Sequence, residues 1–252
     1  MNETLLLARR SIREVWRLPA ATIPALAIPI FFFVVNLGQV TRTFPKQTPF
    51  LHGQSYAAFG LPVSMVFAVT TVTSGVAMVT DIDVGYIDKL RAAPIRRTAI
   101  IWGRLAADVV RGFMISILVL LVGVAFGARV ASGAAGVILL LVLSTAWGVA
   151  YAGIGIWVAL TTKNVQTTQA SFLIFFPLLF LTPNFVPFDR LAPVMRDVAH
   201  INPVSYIITG ERGLMLDDTI DWGAMGVAVG IIIAFGVLVT WASIRALNRF
   251  AR

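Results

Sequence analysis

The residues with the most chemistry in this chain are crowded into one stretch, DIDVGYIDKLRAAPIRR over residues 81–97, where the charge density is highest. Asp81, Asp83 and Asp88 form the only carboxylate cluster that could hold a divalent cation, in the way that membrane alcohol phosphotransferases do. Against that chemistry, Lys89, Arg91, Arg96 and Arg97 crowd the three acids, and no second carboxylate set faces them from another helix. Nucleotide hydrolysis through a phosphate-cradling loop is excluded, because that loop needs Gly-Lys and the dipeptide occurs nowhere. Cysteine is absent, so neither a disulfide framework nor a thiolate metal site can form. The two imidazoles, His52 and His200, stand among polar loop residues and read as solvated or capping groups.

What must position these residues is a membrane. With 58% hydrophobic and 13% charged residues and a mean hydropathy of +0.86, the chain has too little polar surface for a soluble globule of its 252 residues. A formal charge of +8 could suggest nucleic acid, but the cations punctuate apolar runs rather than coat one face, so no nucleic-acid partner is expected. A membrane helix needs about 20 apolar residues. Six segments qualify, at about 20–40, 55–80, 100–127, 134–160, 167–188 and 222–244, and they make residues 1–252 a single all-α polytopic unit. The first follows a basic N-terminus as a signal peptide would, but its length and the five later spans favour a permanent helix.

Orientation follows from the cations. Of the 20 Lys and Arg, only Arg42, Lys46, Arg129, Arg190, Arg196 and Arg212 fall in the segments that face outward when the N-terminus is inside. The positive-inside bias therefore predicts that both termini are cytoplasmic, in a plasma (inner) membrane.

Three segments are neither span nor simple loop. Residues 3–18 predict an amphipathic helix, with Leu5, Ala8, Ile12, Val15 and Trp16 on one face and Arg9, Arg10, Arg13 and Arg17 on another. Such a helix lies in the membrane surface, as a lipid anchor or also touching a cytoplasmic subunit; Pro19 redirects the chain after it. Within residues 81–97, Gly85 permits a turn, Tyr86, Leu90 and Ala93 recur at helical spacing, and Pro94 stops the helix. A solvated loop needs no apolar stripe, which favours a docking helix with Tyr86 and Leu90 inserting into a partner. The segment 182–221 is long and apolar, and Pro183, Pro187, Pro193 and Pro203 mark where short helices start or break. It is expected to fold back into the membrane, with Asn202 and Pro203 shaping a helix break and Arg212 neutralising Glu211, Asp217 or Asp218 or meeting anionic lipid.

These segments, in this order among six spans, resemble the ABC-2 type export permeases, particularly the daunorubicin-resistance branch. Asp81, Asp83, Gly85, Asp88, Leu90, Pro94 and Arg97 look like that family's cytoplasmic loop, with Asp at two positions where Glu is more usual. Asn202, Pro203, Tyr206 and Arg212 are similar to its Asn-Pro and later Arg before the last span, and Arg10 to Pro29 add a weaker match. The resemblance implies a coupling site at Asp81, Asp83, Gly85, Tyr86, Asp88, Leu90, Arg91, Pro94 and Arg97, and an outer gate at Asn202, Pro203, Tyr206 and Arg212. It also implies a dimer with a second or similar permease, served by two cytoplasmic ATPase subunits that bind ATP and Mg; this chain itself would carry no cofactor and no catalytic residue.

An ion-coupled secondary transporter is the principal rival. Such carriers place ionisable groups at the midplane, whereas here only Asp108 intrudes, and Arg104 and Arg111 at spacings of four and three are expected to neutralise it near the inner interface. A receptor or scaffold would be separated from a permease by its failure to stimulate an ATPase. The spans are rich in Phe31, Phe32, Phe33, Phe172, Phe175, Phe176 and Phe180, with Thr70, Thr71, Thr73 and Ser74 as sparse hydroxyls. They suit a hydrophobic or amphipathic cargo, drug or lipid. Trp147, Ser144, Gly148 and Ala152 read first as close helix packing.

Overall fold

A computed structural model describes residues 3–17, 19–71 and 74–249. Thr73 and the side chains of Val15, Trp16, Arg17 and Phe172 lie outside the described residues. The helices are α1 (Glu3–Arg17), α2 (Pro19–Val40), α3 (Tyr56–Thr70), α4 (Gly75–Asp83), α5 (Tyr86–Ala92), α6 (Arg97–Ala125), α7 (Gly133–Thr162), α8 (Val165–Ala170), α9 (Phe175–Phe180), α10 (Pro193–Ile201), α11 (Pro203–Leu216) and α12 (Trp222–Arg249). No strand occurs among the described residues. Four helices are long and apolar enough to cross a bilayer: Tyr56–Asp83 (α3 with α4), α6, α7 and α12. The chain is thus an all-α polytopic membrane protein.

Two apolar helices are shorter, Leu26–Val40 and Val165–Phe180. The second departs from the helix expected over 167–188. Pro177 has no amide hydrogen to give to the preceding turn, and the chain passes through a 3-10 turn at Ser171–Ile174 before α9 ends at Phe180. Asn164 caps the start of α8 by accepting from the Thr167 amide at 2.9 Å.

Helices α3 and α7 form the centre. Thirteen of the fifteen α3 residues are buried, so its all-round apolarity is explained by packing against protein rather than lipid. Between membrane helices the driving force is close packing, which small residues permit. A Cβ on Gly148 would stand 2.8 Å from the Val69 Cβ, and one on Gly75 2.7 Å from the Gly155 carbonyl oxygen. Those glycines are what let α3 and α4 approach α7 so closely. The packing reading of Ser144, Gly148 and Ala152 holds for the backbone approach, while Ser144 has a second task described below.

At the end where α1 begins and α12 finishes, a smaller apolar cluster gathers Met78, Ile87, Ile101, Leu105, Ile156 and Leu247, with Leu7 and Leu90 packed against it. Helix α1 contributes to this end directly: it lies along α6, with Leu7 over Gly103. Ala8 and Ser11 are buried among its described side chains, while Leu5 is 64% exposed. The apolar face expected for α1 is therefore divided, one edge against α6 and one edge outward.

Candidate functional site

Two polar constellations stand at opposite ends of the helical body. The first is built where α1, α4 and α6 meet. Asp81, 5% exposed, accepts from Arg10 of α1 at 2.8 Å and 3.2 Å and pairs with Arg104 of α6. Arg104 also donates to Glu14 of α1 at 2.6 Å and to the Ala77 carbonyl at 3.1 Å, and Arg10 pairs with Glu14 one turn on at 3.0 Å. Two acids and two arginines thus share their charges, which is how buried ions are tolerated. The hydrogen bond to Asp81 pushes the Arg10 guanidinium further toward its charged form. Arg10 also lies 3.9 Å over the Tyr86 ring, a cation–π contact that contributes about 0.5–1 kcal/mol.

The short helix α5 is held by this end. Gly85 takes the left-handed conformation (φ 69) at its N-terminus, where a Cβ would be strained, and Ala93 turns extended (ψ 151) before Pro94. Ile87 is buried and Leu90 half-buried against the cluster described above. The apolar stripe expected to insert into a partner therefore faces the chain's own body. Asp81 is likewise directed inward, and Tyr86 sits beneath Arg10. Facing outward are Asp83, Val84, Asp88, Lys89, Ala92, Pro94, Arg96 and Arg97, with Val84 65% exposed. Asp88 pairs with Arg91 at 3.1 Å. Arg97 donates to Asn248 of α12 at 3.0 Å, and Glu3 accepts from the Arg96 amide at 3.1 Å at the start of α6, where a carboxylate complements the helix dipole.

Asp108 is buried nearby, accepting from Ser74 and Arg111, each at 2.8 Å. Arg111 thus supplies the expected neutralisation as a direct ion pair, while Arg104 makes its own direct pairs with Asp81 and Glu14. No group of His, Asp and Glu suited to a metal occurs among the described residues.

The second constellation holds the segment 182–221. Pro193 and Pro203 occupy the first turns of α10 and α11 as their fixed φ allows, and ten of the fourteen α11 residues are buried. The segment does return into the helical body. At the break, the Asn202 side chain accepts from the Val204 amide at 3.0 Å and donates to the carbonyls of Leu178 (2.5 Å) and Leu181 (3.1 Å). It satisfies backbone groups freed by the end of α9 and the start of α11, as that position requires. Tyr206 donates to the His200 carbonyl at 2.8 Å.

Arg212 corrects its expectation. It pairs with none of Glu211, Asp217 or Asp218. Its guanidinium donates to the carbonyls of Phe59 (3.0 Å), Pro183 (2.5 Å) and Asn184 (2.8 Å) and stacks 3.8 Å over the Phe59 ring. The planar fork of donors reaches three separate carbonyls, one on α3 and two in the Pro183–Asn184 turn. Glu211, fully buried, turns to α7 instead and accepts from Ser144 at 2.6 Å. Asp217 pairs with His52 at 2.5 Å, and His200 stacks on Phe188 with centroids 4.6 Å apart. Glu14 and Phe59 escaped sequence reasoning, as did the pairing of Arg104 with Asp81 and of Ser144 with Glu211. The spacing of Arg10 and Glu14 was the one available signal.

The whole chain resembles known transport permeases. Residues 2–216 match the model of the ABC-2 type transporter family. The chain is 26% identical over 247 residues to the daunorubicin resistance ABC transporter permease protein DrrB1 of Streptomyces coeruleorubidus, covering 94% of this chain and 84% of that protein. It is 30% identical over 202 residues to the inner membrane transport permease YadH of Escherichia coli K12, 77% of each. To the putative transport permease ycf38 of Porphyra purpurea it is 24% identical, covering 84% of this chain and 73% of that protein. With a helical body pinned by charge at one end and folded back on itself at the other, this chain belongs to the ABC-2 type transporter family, as a membrane permease of an ABC transporter.

Proposed function

We propose that this permease exports a hydrophobic or amphipathic drug or lipid-like cargo from the cytoplasm or inner leaflet, driven by two separate ATPase subunits that bind ATP and Mg. The observation that carries the reading is the attachment of α5. It is fastened to the core through Ile87 and Leu90 and to α1 and α6 through the adjoining Asp81. A force applied to the exposed Asp83, Val84 and Asp88 would pass into α6 rather than bend a loop. Docking thus moves from the Tyr86/Leu90 stripe to this outward face, with Lys89, Pro94 and Arg97 beside it. Introducing Val84→Glu should abolish copurification of the ATPase while the permease stays in the membrane, since desolvating a new charge in an interface costs several kcal/mol. Retained copurification with normal transport would remove the docking assignment.

The cargo class is supported by a cleft between α2, α3 and α9, lined by Phe32, Phe33, Asn36, Ser64, Phe67 and Phe180. Its free volume is only about 40 Å³, so a cargo would enter only when these walls part. A second copy, identical or similar, would complete such a path, and at the far end Asn202, Pro203, Tyr206 and Arg212 would form the outer gate. The proposed topology has six spans in the plasma membrane with both termini cytoplasmic. A Cys at Ala134, exposed at the start of α7, should react with an impermeant maleimide in intact cells, and a Cys at Thr162 should not. The reverse pattern would invert the orientation. Ala134 is preferred to Ser132, whose hydroxyl donates to the Leu214 carbonyl at 2.7 Å.

A further inference from the structure

A wide groove runs between α6, α7 and α12, with a volume of about 760 Å³ and walls that are almost wholly apolar. Phe113, Val142, Ile233 and Val237 are among its exposed side chains. From Ile232 to Ile244 it extends about 18 Å along α12 at 1.5 Å per residue, close to one leaflet of a hydrocarbon core that is about 30 Å thick. At the α12 C-terminal end it meets a second hollow of about 720 Å³, and Trp241 lines both. That hollow is lined by Lys163, Arg245 and Arg249 and by no acid. Trp241, Arg245 and Arg249 follow one another at four-residue spacing, so they share a stripe of α12, and the Arg245 guanidinium lies 5.1 Å from the Trp241 ring centroid.

An acyl-length apolar groove that opens onto a cationic hollow at an aromatic side chain has the chemistry of one ligand class. We propose that this face seats an anionic phospholipid, its acyl chain in the groove and its phosphate between Arg245 and Arg249. Charge complementarity selects the headgroup, because a zwitterionic lipid would bring a cation into a hollow that already holds three. The length of the groove selects a lipid over free phosphate. Assigning the site to the cytoplasmic leaflet rests on the proposed orientation; the site itself does not. Its position, on α6, α7 and α12, is separate from the α2–α3–α9 cleft assigned to cargo.

The test uses the full chain in phosphatidylcholine vesicles that carry a minor fraction of lipid with brominated acyl chains, which quench nearby tryptophan. Brominated phosphatidylglycerol should quench several-fold more efficiently than brominated phosphatidylcholine, and Trp241→Phe should remove most of that difference. Arg245→Gln with Arg249→Gln should bring the two lipids to parity, whereas Arg245→Lys with Arg249→Lys should keep the preference. Parity in the unaltered chain, or loss of preference in the Lys pair, overturns the anionic site. Absence of Trp241-dependent quenching by either lipid also overturns it, and disulfide cross-linking through Val237→Cys would then show a second copy covering the face. Because both leaflets carry the probe and no ATPase is present, failure of the orientation or of the export reading leaves this result unchanged.

Discussion

Arg104→Met is expected to uncouple the permease from its ATPase while leaving it in the membrane. The substitution keeps an unbranched apolar stem but removes the guanidinium, which leaves Asp81 buried with only Arg10, itself half-exposed, as a partner. Removing one member of a buried ion pair costs about 3–5 kcal/mol, and the loss falls where α1, α4 and α6 are joined. Insertion of the four long helices rests on their apolar length, so membrane level should hold. Stimulation of the ATPase by cargo in reconstituted vesicles should fall at least tenfold, and the purified permease should melt earlier. Adding Asp81→Leu should restore part of the melting temperature, because the uncompensated carboxylate is gone, without restoring coupling. Unchanged melting and unchanged coupling in Arg104→Met would mean that the ion cluster neither holds nor transmits.

The second large effect is expected at the other end. Arg212→Lys keeps a positive charge but replaces a planar fork with a single ammonium centre, which cannot serve the carbonyls of Phe59, Pro183 and Asn184 together. Each carbonyl left without a donor in a buried site costs about 1–3 kcal/mol. The Pro183–Asn184 turn should therefore loosen from α3, and export should fall at least tenfold, since about 1.4 kcal/mol already corresponds to a factor of ten. ATPase copurification should stay near normal because the docking face is at the opposite end. Asn202→Leu, which removes two donors and one acceptor from the same region, should give the same pattern. If both variants export normally, the outer segment is a cap and the gate belongs to α3 and α9.

The structural difference between these two sites explains how much of each was legible in the sequence. At the break between α10 and α11, Asn202 bonds to Val204 two residues away, and prolines open both flanking helices. Local chemistry of that kind is visible in a short window, and the helix break falls at the expected Asn202 and Pro203. For Arg212 the window misled. The nearest acids in sequence seemed natural partners, but on a helix the adjacent Glu211 points about 100° away, toward α7 and Ser144.

By itself the sequence determined the class of protein, because apolar length and the placement of cations answer to the bilayer and not to any particular neighbour. It also determined the short helix after Gly85 and its stop at Pro94, since turn conformation and the restriction before proline are local properties. Only the tertiary structure decided what the charged residues bind. Asp81 meets Arg10 across 71 positions and Arg212 meets Phe59 across 153, and such pairings depend on which helices pack together. The same packing turned Leu90 inward and left Asp88 and Lys89 exposed: α5 is amphipathic in either orientation, and burial of Ile87 among side chains of α4, α6, α7 and α12 selects the face that stays free.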